Sequence, residues 1–244
     1  MLALYKKEMA GFLSSLTGYV VIIIITILNG LFLWVLPGEM NVLEGGYATL
    51  SSLFIIAPWM FLFLIPAITM RMISEEQKSG TIDLLFTRPI SEVQIVSAKF
   101  LAAFSLAFIA LLPTLIYFVS IGLLGSPKFN IDLGATWGSY IGLVFLAAIY
   151  ASIGIFSSSI SENLIVAFLI AVFMCFAMYT GFDYVSRLFH NTTVGTLMLY
   201  FGIDSHYQSI SRGVIDSRDI IYFISVIVVF IAGASLTLKS RLWK

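Results

Sequence analysis

The stretch Tyr19-Val20-Val21-Ile22-Ile23-Ile24-Ile25-Thr26-Ile27-Leu28-Asn29-Gly30-Leu31-Phe32-Leu33-Trp34-Val35-Leu36 carries no charge from end to end. A helix of this length approaches the ~30 Å of a bilayer's hydrocarbon core. A strand crossing the same core would need about 10 residues of alternating character and a closed barrel, and Val20 to Ile25 are apolar on every face. The stretch is a membrane helix despite its β-branched residues. Five further runs of the same kind follow at 50–70, 100–124, 137–157, 164–182 and 220–238. The reading is an all-α integral membrane protein with six transmembrane helices forming a single domain over residues 1–244.

Composition agrees. Of the 244 residues 60% are apolar or aromatic and 11% are charged, with a mean hydropathy of +1.03; a globular chain carries roughly 25% charge. Lys+Arg and Asp+Glu both number 13, so net charge points to no nucleic-acid partner. The one cysteine, Cys175, sits inside an apolar run and makes no disulfide framework, zinc cluster or redox pair. The placement of charge carries more. With a cytoplasmic N-terminus, Lys6, Lys7, Arg71, Lys78, Arg88, Lys99, Lys239, Arg241 and Lys244 lie inside and Lys128, Arg187, Arg212 and Arg218 outside. Nine against four places both termini in the cytoplasm.

Residues 1–16 space Leu2, Tyr5, Met9, Phe12 and Leu16 by three or four positions, with Lys6, Lys7 and Glu8 on other faces. This predicts an interfacial helix on the cytoplasmic surface, the alternative being an extension of the first span. All 13 carboxylates fall in loops or at span edges, which disfavours an ion-coupled secondary transporter. Gly122, Gly142 and Gly154 with Pro58, Pro66 and Pro113 read as packing points and kinks before they read as broken ion-binding helices. There is no HExxH, G-x-S-x-G or phosphate-loop signature, so the chain is read as non-catalytic and without metal or cofactor of its own. His190 and His206 read as polar loop residues.

Two connections are long. The cytoplasmic one, 71–99, continues the second span as a polar turn or two until Gly80, the residue that tolerates a left-handed cap, ends it. Thr81 is then placed to cap a short helix carrying Ile82, Leu84, Leu85 and Phe86. Pro89 stops that helix, and Ser91 with Gln94 makes a capping box for the next. Leu84, Leu85 and Phe86 form an apolar knob suited to a groove on another protein or, alternatively, to the membrane surface; the acids Glu75, Glu76 and Asp83 favour the protein.

The run Glu75-Glu76-Gln77-Lys78-Ser79-Gly80-Thr81-Ile82-Asp83-Leu84-Leu85 followed by Arg88-Pro89-Ile90-Ser91 resembles the E-x-x-x-G-T-x-x-x-L-x-x-x-P-[IV]-S pattern of ABC-2 type ABC transporter permeases. The outer stretch from Ser205 to Phe223 resembles the segment before the last span in the subgroup of gliding-motility-associated and copper-site maturation permeases. Family members often have Pro at the position of His206 and Leu where Ser217 stands.

The resemblance implies a type V exporter-like permease fold in the bacterial inner membrane. It implies a separate ABC ATPase holding ATP and Mg, and a second permease, either the same chain or a homologue. Contacts to the ATPase would come from Glu75, Glu76, Gly80, Thr81, Asp83, Leu84, Leu85, Phe86, Arg88 and Pro89. The outer connection, 183–219, has two readings. In one, residues 197–201 form a re-entrant helix capping an export cavity. In the other, Arg212, Gly213, Asp216, Arg218 and Asp219 meet a large extracytoplasmic partner, and motion passes through the membrane without a solute. The spans' polar residues, such as Thr26, Asn29, Ser105, Tyr117 and Ser152, suit a lipid-like solute or none.

Overall fold

A computed structural model describes residues 1–87, 89–189 and 192–241. Among these residues thirteen α-helices run in the order α1 (Leu2–Ser14), α2 (Leu16–Gly30), α3 (Val42–Gly45), α4 (Ser51–Lys78), α5 (Ile82–Phe86), α6 (Glu92–Leu111), α7 (Leu115–Leu124), α8 (Leu133–Ile160), α9 (Leu164–Phe176), α10 (Phe182–Leu188), α11 (Thr193–Phe201), α12 (Ile203–Ser211) and α13 (Ser217–Arg241). Among the described residues there is no strand. Six stretches are long and apolar enough to cross a bilayer: Gly18–Val35, Ser51–Lys78, Glu92–Leu124, Leu133–Ile160, Leu164–Leu188 and Ser217–Ser240. They match the six runs of the sequence and extend most of them by a few residues. The extra turns are polar or amphipathic, and hydropathy alone cannot assign them to a helix.

α1 is a helix in its own right. Ser15 is extended at φ −95°, ψ 151°, which breaks the chain before the first span and rules out a simple extension of it. α4 ends where expected, with Gly80 left-handed at φ 69°. α6 opens on the Ser91–Gln94 capping box, both of its reciprocal bonds formed. Thr81 departs from expectation. Its side chain makes no cap to α5, and its hydroxyl instead reaches back to Ser79 Oγ at 2.9 Å and the Glu76 carbonyl at 3.4 Å. It fastens the end of α4 in place of starting the next helix.

α8 is the hub. Of its most apolar window 78% is buried, against 17% in the last span. The cause is local: Gly134, Gly138 and Gly142 recur every four residues, and Ala147, Ala151, Gly154 and Ser158 continue small side chains toward the other end. Small residues let neighbouring backbones approach where lipid supplies no hydrophobic drive between helices. A Cβ on Gly154 would collide with Thr69 of α4, one on Gly138 with the Ile210 carbonyl of α12, and one on Gly142 with the Tyr207 ring at 2.9 Å. Gly142 and Gly154 are therefore packing points in unbroken helix. α4 and α13 run parallel to α8, pairing Phe54 with Tyr140 and Phe145 with Phe223 toward one end, and Ser74 with Ser158 and Ser159 with Thr237 toward the other.

The bundle thus has a terminal end, carrying α1, α5 and the close of α13, and a far end, carrying α3, α11 and α12.

Candidate functional site

At the terminal end the short helix α5 hangs between Gly80 and Pro89. Its residues divide sharply. Leu84 is exposed at 66%, with Glu75, Asp83 and Pro89 exposed around it. Leu85 and Phe86 are turned inward, against a small cluster of Leu4 from α1 and Ile95 and Ala98 from α6. Ile82 is buried in the main core. The expected three-residue knob is therefore one leucine on a packed base, because a five-residue helix shows fewer than two turns of surface and spends its inner face on the bundle. Arg88 lies outside the described residues.

Glu76 also points inward. Lys99 is fully buried in α6, and three oxygens surround its Nζ: Glu8 Oε1 of α1 at 2.9 Å, Glu76 Oε2 of α4 at 2.9 Å and the Met72 carbonyl at 2.6 Å. The Glu76 contact is an ion pair out of line for a hydrogen bond. Lys7 Nζ completes the group at 3.0 Å from Glu76 Oε1. Partial burial works against the Lys7 charge, but Glu76 and Glu8 outweigh it and hold that ammonium above its ordinary range. Two ammoniums and two carboxylates make a neutral quartet tying α1, α4 and α6 directly above α5. Glu8 and Lys99 lie inside α1 and α6, and neither is a solvated charge.

A second cross-link lies beside it. Ser158 Oγ of α8 accepts the Ile73 and Ser74 N–H groups, each at 3.0 Å, while the Ser74 hydroxyl donates to the Ser158 carbonyl at 3.0 Å. A groove of about 550 Å³ opens next to these contacts, with Asp83, Phe86, Ser159, Glu162 and Thr237 on its walls.

The far end is built differently. α12 presents Ile203, Tyr207 and Ile210 on one face, the i, i+4, i+7 spacing of a buried helical stripe, and seats Tyr207 and Ile210 against Gly138 and Gly142 of α8. Tyr207 Oη donates to the Phe54 carbonyl of α4 at 2.9 Å. That carbonyl is vacant for a covalent reason: its helical donor would be residue 58, and Pro58 has no N–H. The kinking proline and the tyrosine are two halves of one joint.

Beside it lies a cleft of about 590 Å³, bounded by the outer turns of α4 and α8, the π-helical segment Ala177–Gly181 and α12. Asp204 stands in its wall. Gln208 Nε2 donates to Asp204 Oδ2 at 2.7 Å and the Tyr179 hydroxyl bonds the same carboxylate. Burial raises the Asp204 carboxyl above the usual carboxylate range; the Tyr179 and Gln208 bonds pull against the rise and nearby Asp183 adds to it. α11 lies apart from this cleft. Leu197, Tyr200 and Phe201 are exposed, and the lining that residues 197–201 were expected to give comes from α12.

The outer charges separate likewise. Arg212, Gly213 and Arg218 are exposed. Asp216 Oδ1 accepts the Arg218 N–H at 2.9 Å and its carbonyl accepts the Asp219 N–H, so Asp216 caps α13. Asp219 is buried, its Oδ1 2.6 Å from His206 Nδ1, with His206 stacked on Tyr222 at 3.9 Å and its Nε2 2.9 Å from the Tyr200 carbonyl. Asp219 is engaged within the chain, joining α12 to α13.

Among known families, residues 13–178 match the one described as ABC-2 family transporter protein. No curated protein matches the chain.

Proposed function

The chain belongs to the ABC-2 family of transporter proteins, multi-pass membrane subunits that work with a separate ABC ATPase, and on that premise we propose that α5 is the element this ATPase grips. The observation that carries this is Leu84, an exposed leucine at the tip of a short helix whose every other large side chain is packed. Glu75 and Asp83 flank it as charge contacts, and the quartet of Lys7, Glu8, Glu76 and Lys99 stiffens its base. ATP and Mg belong to the partner; this chain supplies no catalytic group. The terminal end is then cytoplasmic and the far end extracytoplasmic in a bacterial inner membrane, an orientation that the nine-to-four split of Lys and Arg supports. A second permease, identical or homologous, completes the translocating unit.

Substitution separates the two kinds of leucine. Leu84→Asp is expected to abolish co-purification of the ATPase while the chain keeps its unfolding temperature, whereas Leu85→Asp lowers both. Retained ATPase with Leu84→Asp eliminates the docking role.

The resemblance of residues 205–223 to gliding-motility-associated permeases supports a more particular reading, in which an extracytoplasmic partner docks on Arg212 and Arg218 beside exposed Val214 and Ile215. Asp216 and Asp219 are already engaged within the chain and drop out of that contact. Transport of a solute is the second reading, and the far-end cleft favours it.

A further inference from the structure

The far-end cleft combines three properties that together specify a ligand. It is acidic: Asp204 and Asp132 line it, no lysine, arginine or histidine is among its described lining residues, and the nearby cation, Arg187, stands off the wall. It is aromatic, with Trp59 and Tyr179 meeting at 88° and 5.8 Å between centroids to form a two-walled corner. It borders the lipid, since Ile55 and Trp59 both line it and are exposed on the outer face of α4. Deeper in the bundle, off the cleft wall, the Tyr150 ring lies 6.4 Å from that of Tyr179.

We infer that this cleft binds a single-chain amphiphile with an ammonium head group, the head in the Trp59–Tyr179 corner against Asp204 and the tail along α4 toward the bilayer. Two aromatic faces beside a carboxylate are what attracts an organic cation, through the ring quadrupoles and through the charge. The cost of a half-buried carboxylate, visible in the raised Asp204 carboxyl, is offset when a cation covers it. A phospholipid does not fit the same chemistry, because its phosphate would face two carboxylates with no basic group on the cleft wall to receive it. A soluble metal ion does not fit either, since much of the remaining wall is aromatic or aliphatic. The inference deepens the transport reading and rests on it only for what happens after binding.

The experiment uses the full chain in phosphatidylcholine nanodiscs and radiolabelled dodecyltrimethylammonium. Saturable binding is expected, displaced by unlabelled probe and displaced by neither dodecyl sulfate nor dodecylphosphocholine. Asp204→Asn should weaken it about tenfold or more and Asp204→Glu should restore most of the loss. Trp59 is partly exposed to lipid, so Trp59→Leu leaves the fold intact and should weaken binding about threefold. Partitioning without saturation, equal displacement by dodecyl sulfate or dodecylphosphocholine, or an unchanged Kd in both Asp204→Asn and Trp59→Leu overturns the inference. The assay contains no ATPase. Its failure therefore leaves the docking role of Leu84 standing, and failure of that role leaves the binding result standing.

Discussion

The two ends of the bundle handle buried charge differently. At the terminal end Lys99 is enclosed completely and set among opposite charges: its Nζ donates to Glu8 and to the Met72 carbonyl and pairs with Glu76, although Glu76 Oε2 and neighbouring Gln77 Oε1 accept no hydrogen bond. At the far end Asp204 is only partly compensated and Asp219 Oδ2 has no hydrogen-bond partner. Carboxylates matched by a buried ammonium fix helices relative to one another, whereas an under-compensated one retains a free energy that a ligand can release. On the proposed function, the contrast puts rigidity at the ATPase end and adaptability at the other.

Removing the centre of the rigid end should have the largest effect. Lys99→Met leaves Glu8 and Glu76 facing each other and is expected to cost about 3 kcal/mol, because stripping one partner from a buried ion pair strands the remaining charge. Thermal unfolding in a neutral detergent measures it, and a loss under about 1 kcal/mol would erase the distinction between the ends. Gly142→Leu ranks second. It drives a side chain into the Tyr207 ring, costs about 1–3 kcal/mol by overpacking, and should expose residues 203–211 to protease while leaving ATPase binding untouched.

Asp204 sharpens the contrast through pH. Its carboxyl is raised in the folded protein, so its contribution to stability is fully present below the ordinary carboxylate pKa and is lost as pH rises through the folded value. Asp204→Asn should therefore be more stable than the parent at neutral pH and equal to it in acid. A parent curve matching the variant at every pH would contradict this. The smallest effect belongs to the exposed rim. Charge reversal at Arg212 and Arg218 should change stability by no more than about 0.5 kcal/mol while preventing capture of an extracytoplasmic partner. Capture at parental levels returns those charges to the solvent.

The architecture was largely legible because a bilayer leaves the chain few options. Long uncharged runs had to be helices, and Gly80, Pro89 and the Ser91–Gln94 box marked the segment around α5 by local chemistry alone. What escaped depends on partners distant in sequence. Nothing near Lys99 announces that Glu8, 91 residues earlier, will meet it; a charge at a span edge reads as solvated unless the tertiary fold is known. The inward turn of Leu85 was hidden for the same reason. The far-end cleft left a signal that went unread. Gly134, Gly138 and Gly142 at four-residue spacing describe a furrow, Ile203, Tyr207 and Ile210 describe a ridge to fill it, and Asp204 follows from being on that ridge.

The joint between Tyr207 and the Phe54 carbonyl exists because residue 58 is an imino acid. Pro58→Ala would create a new amide proton able to close the helical turn onto that same carbonyl, whose two lone pairs it would share with the phenol while α12 is seated. Deuterium uptake at that single position would then act as a gauge of α12. The amide exchanges more slowly when Tyr207 lets go and it holds the carbonyl alone, and faster while the two share it. One substitution thus converts a structural joint into a position sensor, readable during ATP turnover without attaching any label to the chain.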